Sequence, residues 1–446
     1  MSASVCMYES HLKSSPTWQH VSQLQPGPSR TISSGYHGVI SLADASHSRF
    51  LDYFVEVASS AICCHQAIQE DTCRAMISVG SVYPSLLYSG LLFGALHKAS
   101  KAQSMIDRKG LDIQTLELRA TALSLLQTQL YDDSLSISAA IIATTLMLAS
   151  CELHFDPDAS SWRNHFECAS FLLADAERKG LDRTGDPVLW RFIHRLFITQ
   201  KFLVSLPSPS QSASSLPVPL DHPLELPSVD HVGVIDSSLA CCRDLLGVFR
   251  WIKALEDLQR ISPITGAPEF EQLSTDYVDT MASELVRVVH RMIARDEATP
   301  AILSDDLSGL CDDDQLRSFR MASTVAHHVA LIYLHRYGLH LDPETTVIRN
   351  SVARIVRLAD AMPKRDGRHP SIVLSTALFV AGCEAQDEAQ DEIRSLLEAQ
   401  YEITRNQGAY RTLQTLERLW ACKSQSSILS LDFIPADVVG DEFVPY

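Results

Sequence analysis

Two places in the chain bring together side chains able to do chemistry. His154, Asp156 and Asp158 follow a long apolar run, and a turn could carry His165 back toward them. A zinc site needs three or four converging nitrogen, sulfur or oxygen ligands held by outer partners, and this spacing matches no such pattern. An acidic loop that ends a helix is the plainer reading. The second place holds His327, His328, His335 and His340. His328 and His335 are seven apart and share a helix face, but they do not form the HExxH arrangement of a zinc protease. A structural role follows for them.

The remaining inventory is equally spare. No G-x-S-x-G elbow, G-x-G-x-x-G turn or G-x-x-x-x-G-K-[ST] loop occurs, so the common nucleophile and phosphate signatures are missing. Eleven cysteines are dispersed from Cys6 to Cys422, several inside apolar runs where a thiol acts as a small hydrophobe. That usage suits a reducing compartment better than a disulfide framework. The residues assign no catalytic, cofactor-binding or metal role, and the reading is of a protein that is not an enzyme and carries no cofactor. An enzyme of unrecognised type is the alternative.

Charge narrows the partners. Against 37 Lys and Arg stand 54 Asp and Glu, a net −17, which repels a phosphate backbone and argues against direct nucleic-acid binding. The densest early basic group, Lys98, Lys101, Arg108 and Lys109, has no aromatic residues interleaved for base stacking and reads as a solvated helix end and loop. The N-terminus shows no secretory pattern. The longest apolar stretch, Ala139 to Cys151, is too short for a bilayer, so no membrane partner is expected.

These residues must be positioned by helices. At 446 residues, with 46% hydrophobic and 20% charged side chains, the chain can bury a large core. Apolar positions recur at helical spacing from Ser48 onward, as in Phe50, Phe54, Val57, Ala58 and Ala61, then Leu86 to Leu96 behind Pro84. The run Leu116 to Tyr131 places Leu116, Ala120, Leu123, Leu126 and Leu130 on one stripe. The next helix, about 136–153, is apolar nearly all round and is expected at the centre of the N-terminal half. Ser160 or Ser161 can cap a helix carrying Trp162, Phe166, Ala169, Phe171 and Leu172. Another helix covers about 187–206. Later helices are expected at 236–260, 274–295, 313–337, 345–362, 371–386, 388–406 and 409–424, with no useful strand alternation. The fold class is all-α, a multi-helix orthogonal or bundle-like domain, as one body or as two packed helical halves.

The organisation read from composition is a flexible leader over 1–45, an N-terminal helical half over 46–206, a Pro/Ser-rich loop or linker over 207–235, a C-terminal helical half over 236–428 and an acidic-hydrophobic tail over 429–446. Six prolines between Pro207 and Pro227 exclude helix there. The tail mixes Asp432, Asp437, Asp441 and Glu442 with Phe433, Ile434, Val438, Val439, Phe443 and Val444, and has no Lys or Arg. Such a mixture is either an activation segment that folds on a coactivator or a chain end that packs back onto its domain.

One set of residues forms a recognisable series: Leu96 and Ala99; Arg119, Ala122, Leu123 and Leu126; Leu146, Leu148, Ala149 and Glu152; then Trp162, His165, Ala169, Leu172 and Leu173. It resembles the regulatory, or middle homology, domain of fungal zinc-cluster transcription factors. The resemblance is clear over about 50–205, and beyond that only the helical character agrees. Cys168 stands where the family usually has Gly, which questions close helix contact at that point. The signature residues, Glu152, Trp162, His165, Ala169 and Leu172, are expected to be architectural. The family's DNA-reading module needs six cysteines in C-x2-C-x6-C type spacing around two zinc ions, with Lys and Arg between them, and no such spacing occurs in this sequence.

The resemblance therefore implies a transcriptional regulator, coactivator-like or corepressor-like, without its own DNA-binding module. Analogy with family members suggests control of a fungal secondary-metabolite gene cluster. An upstream exon carrying the zinc module is a variant of this reading. The implied partner is a DNA-binding transcription factor or a coactivator, with homo- and heterodimers both open, and the implied compartment is the nucleus, with cytoplasm as a second. A helical accessory protein or enzyme of the same pathway is the alternative.

Overall fold

A computed structural model describes residues 45–102, 104–131, 138–155, 161–181, 186–206, 226–261, 268–365, 367–405 and 407–423. Among them are fourteen α-helices: α1 (Ala45–Glu56), α2 (Gln66–Gly80), α3 (Pro84–Ser100), α4 (Met105–Tyr131), α5 (Ala139–Phe155), α6 (Trp162–Arg178), α7 (Pro187–Ser205), α8 (Leu245–Ile261), α9 (Pro268–Ala298), α10 (Asp313–Tyr333), α11 (Thr346–Ala361), α12 (Leu374–Glu384), α13 (Glu388–Thr404) and α14 (Gln407–Lys423). The fold is all-α. Two short strands, β1 (Val234–Ile235) and β2 (Ile302–Leu303), pair in parallel with Val234 opposite Ile302.

The chain divides into two compact units, Met1–Gln200 with Arg405–Gln407, and Lys201–Thr404 with Gly408–Tyr446. In the first, α3 packs against α1, α2, α4 and α5, and α5 packs in turn on α6. Both α3 and α5 have apolar residues on nearly every side. From Ala140 to Phe155 every residue of α5 is buried. Pro84 sits at the start of α3, where its missing N–H costs nothing. Gly94 lets α1 come close, since a Cβ there would lie 2.8 Å from the Phe50 carbonyl oxygen.

In the second unit α10 packs on α11 and α12, while α11 and α12 each meet α13. The start of α10 is set by a capping box: Asp312 accepts from the Gln315 N–H at 2.7 Å and the Gln315 side chain accepts from the Asp312 N–H at 3.0 Å. At its end the helix widens into a π-turn, Leu334–Gly338, before the chain leaves it.

Several expectations need correction. Met105–Gly110 begins α4, so Arg108 and Lys109 lie on a helix rather than in a loop. The core stripe of α4 is Thr115, Leu118, Ala122, Leu123 and Leu126, whereas Leu116 is 53% exposed. Threonine can take a core-facing position because its hydroxyl bonds back to the Asp112 carbonyl at 2.8 Å. The helix expected from 236 begins at Leu245 instead. Residues 236–244 form turns in which the Asp236 carboxylate accepts from the Ser238 and Leu239 N–H groups, a local bonding pattern that competes with helix. The helix α2 carried no singled-out signal. The expected leader, the stretch 207–225 of the Pro/Ser-rich loop, and the tail lie outside the described residues.

Candidate functional site

The signature residues meet where α5 hands over to α6. Trp162 is fully buried, and His165, Ala169, Leu172 and Leu173 lie buried on the same face of α6, which packs on α5. His165 Nε2 stands 3.4 Å from Glu152 Oε1, both side chains nearly closed off from water. Burial opposes ionisation of Glu152. The His165 imidazole, then the Arg119 guanidinium from α4 and the Ser161 hydroxyl outweigh it, so the carboxyl is held below its ordinary value. An ionised carboxylate thus ties α4, α5 and α6 at one point.

Ser161 does not cap α6 with its side chain. Its backbone is in the helical region rather than extended, so the hydroxyl cannot reach the N2 or N3 amide. Ser160 lies outside the described residues. Arg163 lies over the Trp162 ring at 5.0 Å, and Phe166 stacks on Phe197 of α7 at 5.5 Å. Cys168 is half-buried, its thiol pushed up to about 12 by burial, while Ala169 beside it is fully buried. Phe171 is 53% exposed and takes no part.

His154 is buried edge-on to Phe93 at 5.5 Å and beside Phe155, within an aromatic group completed by Phe54 and His97. Asp156 and Asp158 lie outside the described residues. Among the described residues, no group of three or more His, Cys, Asp or Glu side chains is arranged to hold a metal ion.

The second unit contains a polar centre that sequence reasoning missed. Arg295 of α9 donates from Nε to Asp296 at 2.8 Å and from Nη1 to Asp244. The Cys242 thiol lies 3.3 Å from the Ser323 hydroxyl and 3.6 Å from Asp296, and His327 Nε2 is 3.9 Å from the same Asp296 carboxylate. Gly233 admits this packing: a Cβ there would stand 2.6 Å from Arg295 Nη2 and 3.0 Å from Cys242 Sγ. Thiol, imidazole and carboxylate are the residue types of a cysteine nucleophile site. Here burial pushes the thiol up to about 12, so it stays protonated and unreactive at neutral pH. Burial also lowers His327, against the pull of Asp296 and Asp244. The centre is structural. Its members are scattered from 233 to 327, and no local spacing announces them.

The other histidines separate. His328 Nδ1 meets Ser351 of α11 at 3.3 Å, and burial, then His327, Arg354 and His290, pushes it down to about 4. His335 lies within the π-turn. His340 has φ +47, lies outside the helix and bonds with Gln259.

Two surfaces stand apart from these centres. On α4, Met105, Ile106, Ile113 and Leu116 are all more than half exposed. At 3.6 residues per turn they fall within an arc of about 100° on one helix face. In the second unit a small, shallow cleft, about half open to solvent, lies between the C-terminal end of α11 and the helices α12 and α13.

A family model for the fungal-specific transcription factor domain matches residues 49–437. The chain belongs to that family. The match extends the likeness through the second unit, where the sequence showed only helical character. No curated protein and no solved structure matches this chain. Of the series from Leu96 to Leu173, carried on α3, α4, α5 and α6, all but Leu96 and Arg119 are buried. Among the described residues, no helix is long and apolar enough to cross a membrane.

Proposed function

We propose that this regulatory domain works in the nucleus by binding a protein partner, a DNA-binding transcription factor or a coactivator. Family membership supports the role in transcription. The exposed apolar face of α4 supports the partner, because residues such as Ile106, at 83% exposure, gain free energy only when something covers them. The net charge of −17 favours action through a protein over direct contact with DNA. Control of a fungal secondary-metabolite gene cluster is the biological setting we assign by analogy with the family.

Deletion of the gene, with transcripts of neighbouring genes measured, tests the reading. Transcripts should change. Unchanged transcripts together with an accumulating intermediate would instead mark an enzyme or accessory protein of the pathway. The surface is tested by Ile106→Asp with Ile113→Asp, which should leave the helical circular dichroism intact and abolish promoter occupancy in chromatin immunoprecipitation. Full occupancy by that variant would remove α4 from the interface.

A further inference from the structure

The cleft in the second unit is apolar at its base and basic at its rim. Met362, Leu374, Leu378, Leu396 and Ile403 line it, and Lys364 and Arg365 stand at its edge. Gln400 on α13 donates to the Ser371 carbonyl at 3.3 Å and holds one wall to the turn before α12. From 346 to 369 the sequence carries six basic residues, Arg349, Arg354, Arg357, Lys364, Arg365 and Arg368, against Asp360 and Asp366. In a chain with 17 excess negative charges this is a local reversal of sign. Lys364 pairs with Asp360 at 3.8 Å, but both side chains are largely in water, where such a pair is worth little and is readily exchanged.

The rest of the same unit supplies a complementary segment. Residues 429–446 carry four acidic side chains and no basic one, and the acids flank apolar residues: Asp432 before Phe433 and Ile434, Asp441 and Glu442 before Phe443 and Val444. We propose that this tail folds back within its own chain onto the cleft, its phenylalanines covering the apolar mouth between α11, α12 and α13 while the neighbouring carboxylates meet Lys364 and Arg365. The tether is long enough. Arg394 of α13 pairs with Glu417 of α14 at 3.4 Å, and Tyr401 lies against Tyr410 at 5.1 Å, so the two helices run antiparallel. Lys423 thus ends near the level of Glu388, about 18 Å along the axis from Gln400. The ten residues Ser424 to Phe433, if extended, span up to about 33 Å. Intramolecular tethering gives the tail an effective concentration near the millimolar range, so weak contacts suffice. A docked tail hides its own apolar residues, and its release would uncover segment and cleft together. None of this depends on the transcriptional role.

Amide hydrogen exchange on the full chain tests the proposal. At low salt, amides of residues 430–446 should exchange about tenfold or more slowly than in a free peptide of the same sequence. The double variant Lys364→Glu, Arg365→Glu should lose that protection while amides of α9 stay protected, which shows the fold intact. Phe433→Ala with Phe443→Ala should lose it too, and raised salt should weaken it in the native chain. Tail exchange at the free-peptide rate, protection untouched by the charge reversal, or protection that rises with protein concentration and so comes from a second copy, would each overturn the proposal.

Discussion

The two units bury charge in different ways. At the α5–α6 junction one carboxylate, Glu152, is matched by His165 and by the more distant Arg119, and the two main partners lie thirteen positions apart in sequence. In the second unit Asp244 and Asp296 both hold Arg295, and Cys242, Ser323 and His327 crowd around them. The first centre joins neighbouring helices and leaves a legible pattern. The second joins a strand-flanking turn, α9 and α10, elements far apart along the chain. A centre built from neighbouring helices shows in the local sequence, while a less deeply buried one assembled from distant elements does not.

Removing one charge from either centre tests how much each contributes. Glu152→Ala leaves His165 and Arg119 without their carboxylate and should cost about 3–5 kcal/mol in denaturant unfolding, as should Arg295→Ala in the second unit. A much smaller loss at either site would show that water already reaches that centre. Trp162→Ala should fall in the same range, about 3–5 kcal/mol, through the cavity it opens.

Acid sharpens the contrast further. Burial pushes His328 and His369 down to about 4 and also lowers His327 and His335, all in the second unit. A histidine whose folded value lies below its unfolded value of 6.5 takes up its proton first in the unfolded chain. The second unit should therefore lose stability as pH falls from 6.5 toward 4. Glu152 is depressed from 4.5, so its contribution is present above that value and is lost only as pH falls through its lower folded value. Amide exchange across this range should open α10 before α5 and α6. Simultaneous opening of the two would deny the distinction.

Gly94→Ala should cost about 1–3 kcal/mol, because its Cβ meets backbone rather than a movable side chain. Phe171→Ala on the exposed side of α6 should stay within about 0.5 kcal/mol in thermal unfolding.

The helices themselves were largely legible. Pro84 marks a helix start by itself, and the apolar run Ala139 to Cys151 announced a buried helix. The residues of the series from Leu96 to Leu173 lie on successive helices, α3 to α6. Failures have a common cause. Leu116 belongs by spacing to an apolar stripe, but which side of α4 faces α3 is decided by the partner helix, and Thr115 and Leu118 won that face. Asp236 reads as part of a helical pattern, yet its carboxylate bonds the next two amides and ends that option.

By itself the sequence determined the all-α class, the places of most helices, the likeness to a regulatory domain and the acidic character of the tail. These follow from residue periodicity, capping and charge, which act over a few positions. Only the tertiary structure decided that Glu152 and His165 meet, that Cys242 is held protonated beside Asp296, that α4 turns an apolar face to water and that Lys364 borders an apolar cleft. Each of those depends on which helix faces come together, and burial and Coulomb attraction act between groups that are close in space whatever their separation along the chain.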